Sequence, residues 1–146
     1  MKFEEVIERD GRLVYTNVGD SMLPFIRQDR DLVVIEKPRG RLKKHDVAFY
    51  KRDGGEYVLH RVIKVTEDGY VIRGDNTIGS DTGVTDADVI GVLSAFVRDG
   101  KTIPVTDRKY RLYARVWTEI NSLRIGAGRI LRRVKARCRR MFRFHN

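Results

Sequence analysis

The chain has 146 residues, enough for one domain with a real core and too few for two comfortable ones. Its formal net charge of +10 sits at one end. Residues 1–106 hold 17 Lys and Arg against 18 Asp and Glu, a balance of −1, whereas residues 107–146 hold 13 against 2, a balance of +11. A single cysteine, Cys138, excludes an intrachain disulfide and agrees with a reducing compartment. No apolar run approaches the roughly eighteen residues of a spanning helix, and Met1-Lys2-Phe3-Glu4-Glu5 has no signal-peptide hydrophobic region. A cytoplasmic protein, soluble or peripheral on a membrane, is expected.

Residues 2–9 predict a short helix with Phe3, Val6 and Ile7 on one face, stopped by Gly11. Arg12 to Val18 is rich in β-branched and aromatic residues and predicts a strand. Gly19-Asp20 ends it, and Pro24, which lacks an N–H, favours a tight bend. Ser21 and Met22 therefore stand where the backbone changes direction. Asp31 to Ile35 predicts a strand buried on both faces. Val47 to Tyr50 predicts another, joined through Asp53-Gly54-Gly55 to a strand over 57–65.

In that strand Val58, His60, Val62 and Lys64 share one face, while Leu59, Arg61, Ile63 and Val65 share the other. Glu67-Asp68-Gly69 turns into Tyr70 to Arg73, closed by Gly74-Asp75-Asn76. Thr77 to Asp88 reads as a loop, followed by strands at Val89 to Val97 and Thr102 to Val105. Seven or so short strands joined by tight turns indicate a mainly β unit of small-barrel or coiled-sheet type. It spans residues 1–106 and is followed by a helical tail over 107–146.

A serine hydroxyl is a poor nucleophile at neutral pH and needs a base to accept its proton. An imidazole with an unperturbed pKa of about 6.5 suits that role, and a carboxylate holds its tautomer and stabilises the imidazolium. Ser21, His60 and one of Asp75 or Asp81 supply these three roles. His45 precedes a strand in a charged turn and His145 is penultimate in a basic tail; neither is a candidate. No spacing of histidines or carboxylates suits a metal, one cysteine cannot make a zinc site, and no Gly-rich phosphate loop is present. No cofactor is expected.

Gly19-x-Ser21-Met22-x-Pro24, then Tyr57 to Ile63 around His60-Arg61, then Gly74-Asp75-Asn76, resembles in order and spacing the clan of signal peptidase I and LexA-like serine peptidases. Most bacterial members carry a lysine general base where this chain has His60, which resembles the archaeal and endoplasmic-reticulum type. That type also has an aspartate six residues after the one in Gly-Asp-Asn, and Asp81 stands six after Asp75. The resemblance covers roughly residues 12–93 and implies a serine endopeptidase that acts through an acyl-enzyme on Ser21. His60 would be the base and Asp81 the orienting acid, with Asp75 bracing the turn. It also implies substrates with small side chains at the first and third positions before the cut.

Gly19, Asp20, Met22 and Pro24 are expected to contact substrate, with Met22 packed beneath the nucleophile and Gly19 admitting the substrate strand. Many signal peptidases place an oxyanion-stabilising serine two residues before the nucleophile; here that residue is Gly19, so the second donor is unassigned. The clan usually has Gly-Asp eight and nine residues after the serine, where this chain has Asp29 and, one position late, Asp31. Signal peptidases proper also carry an N-terminal membrane anchor, which the opening residues here do not resemble. Alternatives within the clan are a LexA-like self-processing regulator, for which only twenty residues precede Ser21, and an inactive peptide- or membrane-binding module.

In the tail, Tyr113, Val116, Trp117, Ile120, Leu123, Ala127, Ile130, Leu131, Val134, Cys138 and Met141 recur at three- and four-residue steps, with arginines between them. Gly126 and Gly128 weaken the middle, predicting two helices or a kinked one. A basic amphipathic helix suits an anionic membrane surface. No aromatic platform accompanies the charge, which disfavours nucleic acid as a partner.

Overall fold

A computed structural model of the chain describes residues 2–142, with side chains through residue 128 and that of Ile130. It is mainly β. Helix α1 (Phe3–Asp10) precedes strands β1 (Arg12–Thr16), β2 (Asp31–Glu36), β3 (Val47–Lys51), β4 (Tyr57–Val65), β5 (Tyr70–Arg73), β6 (Asp81–Val84), β7 (Val89–Arg98) and β8 (Lys101–Pro104), and helix α2 (Arg108–Phe142) follows. All pairings are antiparallel, in the order β1-β2-β7-β3-β4-β5-β6, and the sheet does not close. The long β7 pairs along one edge with β2 and divides the other between β3 and β8.

Local chemistry sets the ends of the elements. The Glu5 carboxylate accepts the Lys2 N–H at the start of α1, and Gly11, left-handed at φ 73°, closes its end through an N–H to Ile7 O. Asp107 Oδ1 accepts the Tyr110 N–H at the start of α2. The expected loop over Thr77 to Asp88 contains β6, a short edge strand against β5. Only Val84 of its four residues is buried and Gly83 takes a positive φ, so it lacks the apolar alternation that marks a strand.

Alternation along the central strands creates two cores. Val47 and Phe49 of β3 and Leu59 of β4 join Leu13, Met22, Ile26, Val33, Ile35, Leu93 and Phe96 on one face of the sheet. On the other, Ala48, Tyr50, Val58 and Val62 pack with Tyr70, Ile72 and Val84. The β3–β4 register sets Ala48 opposite His60 and Val47 opposite Arg61. His60 thus projects toward the second core and Arg61 toward the first.

Arg61 is 1% exposed. Its Nε and Nη2 donate to Asp75 Oδ1 and Oδ2 at 2.8 and 2.7 Å, and its Nη1 donates to His45 O and Tyr110 Oη at 3.1 Å each. Its guanidinium lies 5.3 Å from the Phe25 ring centroid and 5.9 Å from those of Tyr110 and Tyr113. One side chain therefore joins β4, the Gly74–Asn76 turn, the loop after Ser21 and α2. A second ion cluster fixes the far end of that loop. Asp31, also 1% exposed, receives Arg98 at 2.7 Å and Arg30 at 2.9 Å as well as the Arg27 N–H.

Helix α2 runs unbroken through Gly126 and Gly128, where two helices or a kink were expected. Its first half packs on the sheet through Tyr110, Ala114, Thr118, Asn121 and Ile125. Trp117 Nε1 and Asn121 Nδ2 both donate to Asp75 O, at 3.1 and 2.8 Å, and Arg73 Nη2 donates to Ser122 Oγ at 2.8 Å. The expected single apolar face divides in two. Tyr113 and Trp117 turn inward, whereas Val116, Ile120 and Leu123 are exposed. The later members of that series, from Leu131 on, lie outside the described side chains.

Replacing Arg61 with Met should cost about 3–5 kcal/mol, because Asp75 is left buried without its cation. Adding Asp75→Asn should recover part of the loss. Urea unfolding of the two variants measures both effects.

Candidate active site

Ser21 follows Gly19, which takes φ 96° and donates its N–H to Gln28 Oε1 at 2.9 Å. The chain then folds tightly, with Leu23 N–H on Asp20 O and Ile26 N–H on Met22 O. The Gly74–Asn76 turn is pressed against this corner. Asn76 donates its N–H to Ser21 O at 2.8 Å and its Nδ2 to Asp20 O at 3.3 Å. A Cβ on Gly74 would fall 2.6 Å from Ser21 O and 3.0 Å from His60 Nε2. Only glycine allows that approach, and the two distances together bring Nε2 of His60 within 5.6 Å of Ser21 O.

Ser21 and His60 line one cavity of about 310 Å³, with Asn17, Gly19, Asp20, Arg52 and Glu56 also in its wall. On the far side of the ring, His60 Nδ1 stands 3.5 Å from Tyr50 Oη and 3.9 Å from Asp81 Oδ2. The latter is too long for a hydrogen bond. The Tyr50 hydroxyl donates to Asp81 Oδ2, and Arg52 reaches the same oxygen through Nε at 3.0 Å and Nη2 at 2.8 Å. The carboxylate thus faces His60 without a direct bond, with the phenol oxygen beside both.

Burial lowers the His60 pKa from 6.5 to about 4, and the opposing pull of Asp81 recovers only part of this. Burial pushes the Asp81 pKa up, but the hydrogen bonds from Tyr50 and Arg52 outweigh that and hold it below the usual carboxylate value. Burial and the bond to Asp81 raise the Tyr50 hydroxyl well above the ordinary phenol value. At neutral pH the site holds a neutral imidazole, an ionised carboxylate and a protonated phenol. A neutral imidazole that shares a cavity with a serine and has its other nitrogen toward an anion can accept a hydroxyl proton and be stabilised once charged.

The sequence-predicted residues separate into groups. Ser21 and His60 share the cavity and Asp81 lies behind the ring. Asp75 is turned away, with its carboxylate on Arg61 and Tyr113 Oη and its carbonyl on α2; it braces the turn. Gly19 and Asp20 line the cavity. Met22 corrects the expected substrate contact, since it is 0% exposed in the first core beneath the Ser21 corner. Pro24 also departs from it and lines a different hollow, with Phe25, Phe96 and Tyr113.

Sequence reasoning missed Tyr50, Arg52 and Asn17. The hairpin signal at Asp53-Gly54-Gly55 could have found Tyr50, because counting back from it pairs Tyr50 with Val58, on the His60 face. No family model matches the chain, and no curated protein matches it.

Because the folded protein holds His60 less basic than the unfolded chain, its contribution to stability is full above pH 6.5 and falls as pH drops toward 4. On this count alone the fold should lose on the order of 3 kcal/mol between pH 7 and pH 4. Histidine NMR titration should place the His60 midpoint near 4; a midpoint at 6 or above would contradict the burial argument.

Proposed function

We propose that the protein is a serine endopeptidase of signal-peptidase-like type, with Ser21 as nucleophile, His60 as general base and Asp81 as the stabilising acid. The observation that carries this reading is the convergence of Ser21 and the Nε2 side of His60 on one cavity, with Asp81 on the Nδ1 side. In the first step His60 Nε2 takes the hydroxyl proton as Oγ attacks a peptide carbonyl. The imidazolium then protonates the leaving amine, and a water activated by the same nitrogen hydrolyses the acyl-enzyme. Asp81 and Tyr50 favour the charged ring from its other side. The Ser21 N–H is the natural first donor to the oxyanion.

A peptide substrate has an obvious place to lie. Residues 57–60 of β4 pair with β3 on one edge, whereas β5 begins to pair only at Arg61 on the other. The cavity runs between that free edge and residues 17–21, so an extended peptide entering it can use the edge as an added strand.

A second reading concerns location, and the outward side of α2 favours it. Leu112, Val116, Ile120, Leu123 and Ile130 are 47–74% exposed and fall on one side of a 3.6-residue helix, opposite the buried Tyr110, Ala114, Asn121 and Ile125. Arg108, Lys109, Arg111, Arg115 and Arg124 flank this stripe. We propose that it rests on an anionic lipid surface. No helix among the described residues is long and apolar enough to cross a membrane.

Digestion of a diverse peptide library, read by mass spectrometry, should yield cuts that vanish with Ser21→Ala and with His60→Ala. The kcat/KM of a cut peptide should stay level at pH 5 and fall with a midpoint near 4, following the buried His60. No cutting, or equal cutting by the variants, would overturn the peptidase reading and favour an inactive binding module. For the lipid surface, phosphatidylglycerol vesicles should bind the protein and phosphatidylcholine vesicles should not. Combined Val116→Ser, Ile120→Ser and Leu123→Ser, all at exposed positions, should weaken binding at least about tenfold. Unchanged binding would exclude the stripe.

A further inference from the structure

Asn17 follows β1 directly and stands four residues before Ser21. It is 5% exposed, and its carboxamide nitrogen Nδ2 is buried without a hydrogen-bond partner among the described residues. An unpaired buried donor costs about 1–3 kcal/mol, and such groups are few in native folds and call for a physical reason. Asn121 Oδ1 is in the same state, but its carboxamide is already held by Asp75 O through Nδ2.

The location of Asn17 gives its donor a use. The residue forms part of the wall of the cavity that Ser21 and His60 share, and a rotation of its carboxamide is needed to turn Nδ2, closed to solvent in the free protein, toward the opening. A peptide entering that cavity gives up water at its carbonyl oxygens and needs neutral donors in exchange. Gly19, two residues before the nucleophile, has no side chain to supply one. The cations in the described wall do not fill the gap, because Arg52 is committed to Asp81 and Glu56. The unsatisfied donor and the incoming acceptor answer each other.

We infer that the Asn17 carboxamide donates a hydrogen bond to a main-chain carbonyl oxygen of a peptide bound beside Ser21. This rests on the peptidase reading for its kinetic consequence, though not for the binding contact itself. The bond forms only with ligand present, so its cost falls on the free protein and its benefit on the complex. Asn17 is therefore under opposite demands from stability and from function.

The test uses that opposition. Asn17→Leu replaces the carboxamide by a bulkier apolar group of the same branching and Asn17→Ala removes it without adding bulk; the better tolerated of the two lacks the donor, so its Tm should equal or exceed that of the parent. Its kcat/KM on the best-cut library peptide should fall at least about tenfold, and about a hundredfold or more where the carbonyl is the scissile one. A fall carried by kcat marks the oxyanion, and one carried by KM marks a flanking carbonyl; either supports the inference. Unchanged kcat/KM, or a loss that tracks a lowered Tm, would overturn it.

A second readout needs no catalysis. In Ser21→Ala, the Asn17 side-chain amide resonances are followed by ¹⁵N NMR while a tryptic digest of casein is added. A shift of those resonances supports the contact even if the parent cuts nothing, in which case the peptidase reading alone has failed. Saturable binding without a shift, or no binding, overturns the contact.

Discussion

The buried pair of Arg61 and Asp75 is the constraint on which the site depends. A guanidinium 1% exposed in a protein interior is tolerable only when its donors and charge are answered. Here the answers come from four places in the chain: the Asp75 carboxylate, the His45 carbonyl, the Tyr110 hydroxyl and the faces of three aromatic rings. Each partner is thereby held where the cation is. The Gly74–Asn76 turn so fixed then holds Ser21 O through the Asn76 N–H. The position of the candidate nucleophile is thus set through a pair of charges that does no chemistry.

On the other face of β4 the same strand solves an opposite problem. His60 is buried to lower its proton affinity, which keeps it a free base at neutral pH. Burial alone would also penalise the imidazolium that the proposed mechanism requires. Asp81, ionised by Tyr50 and Arg52, offsets part of that penalty from the Nδ1 side. The Tyr50 oxygen lies to one side of the two, bonded to the carboxylate, and the carboxylate acts on the ring over 3.9 Å rather than through a direct bond. Under the proposed mechanism, adjacent residues of one strand, His60 and Arg61, would serve reaction and scaffold separately, because alternation sends them to opposite faces.

Helix α2 connects the basic end of the chain to this arrangement. Its inner side donates twice to the Asp75 carbonyl, and its outer side presents an apolar stripe edged with cations. The two sides are joined by a rigid backbone, so a surface engaged by the stripe would hold the Ser21 cavity in a fixed orientation. The first half of α2 is also part of what covers Arg61. It cannot be removed as an appendage without uncovering that charge.

Much of this was legible in the sequence because it is local. Alternation and turn residues marked β1 to β5, β7 and β8, Gly11 marked the end of α1, and the resemblance of the motifs around Ser21, His60 and the two aspartates to the signal peptidase and LexA-like clan singled out the candidate site. The sequence also placed His60 and Arg61 on opposite faces of one strand. Composition and periodicity could not reveal which aspartate faces the imidazole, since both stand in short polar stretches; folding buries Asp75 against Arg61 and leaves Asp81, at the start of β6, on Arg52. Nor could they divide the apolar residues of α2, whose band is wide enough to supply both a packed side and an exposed one. The strand at Asp81–Val84, the phenol beside His60 and Asp81, and the unpaired donor of Asn17 depend on pairing across the sheet and on burial. Those were decided by the tertiary structure, because burial and partner are properties of what other parts of the chain bring near.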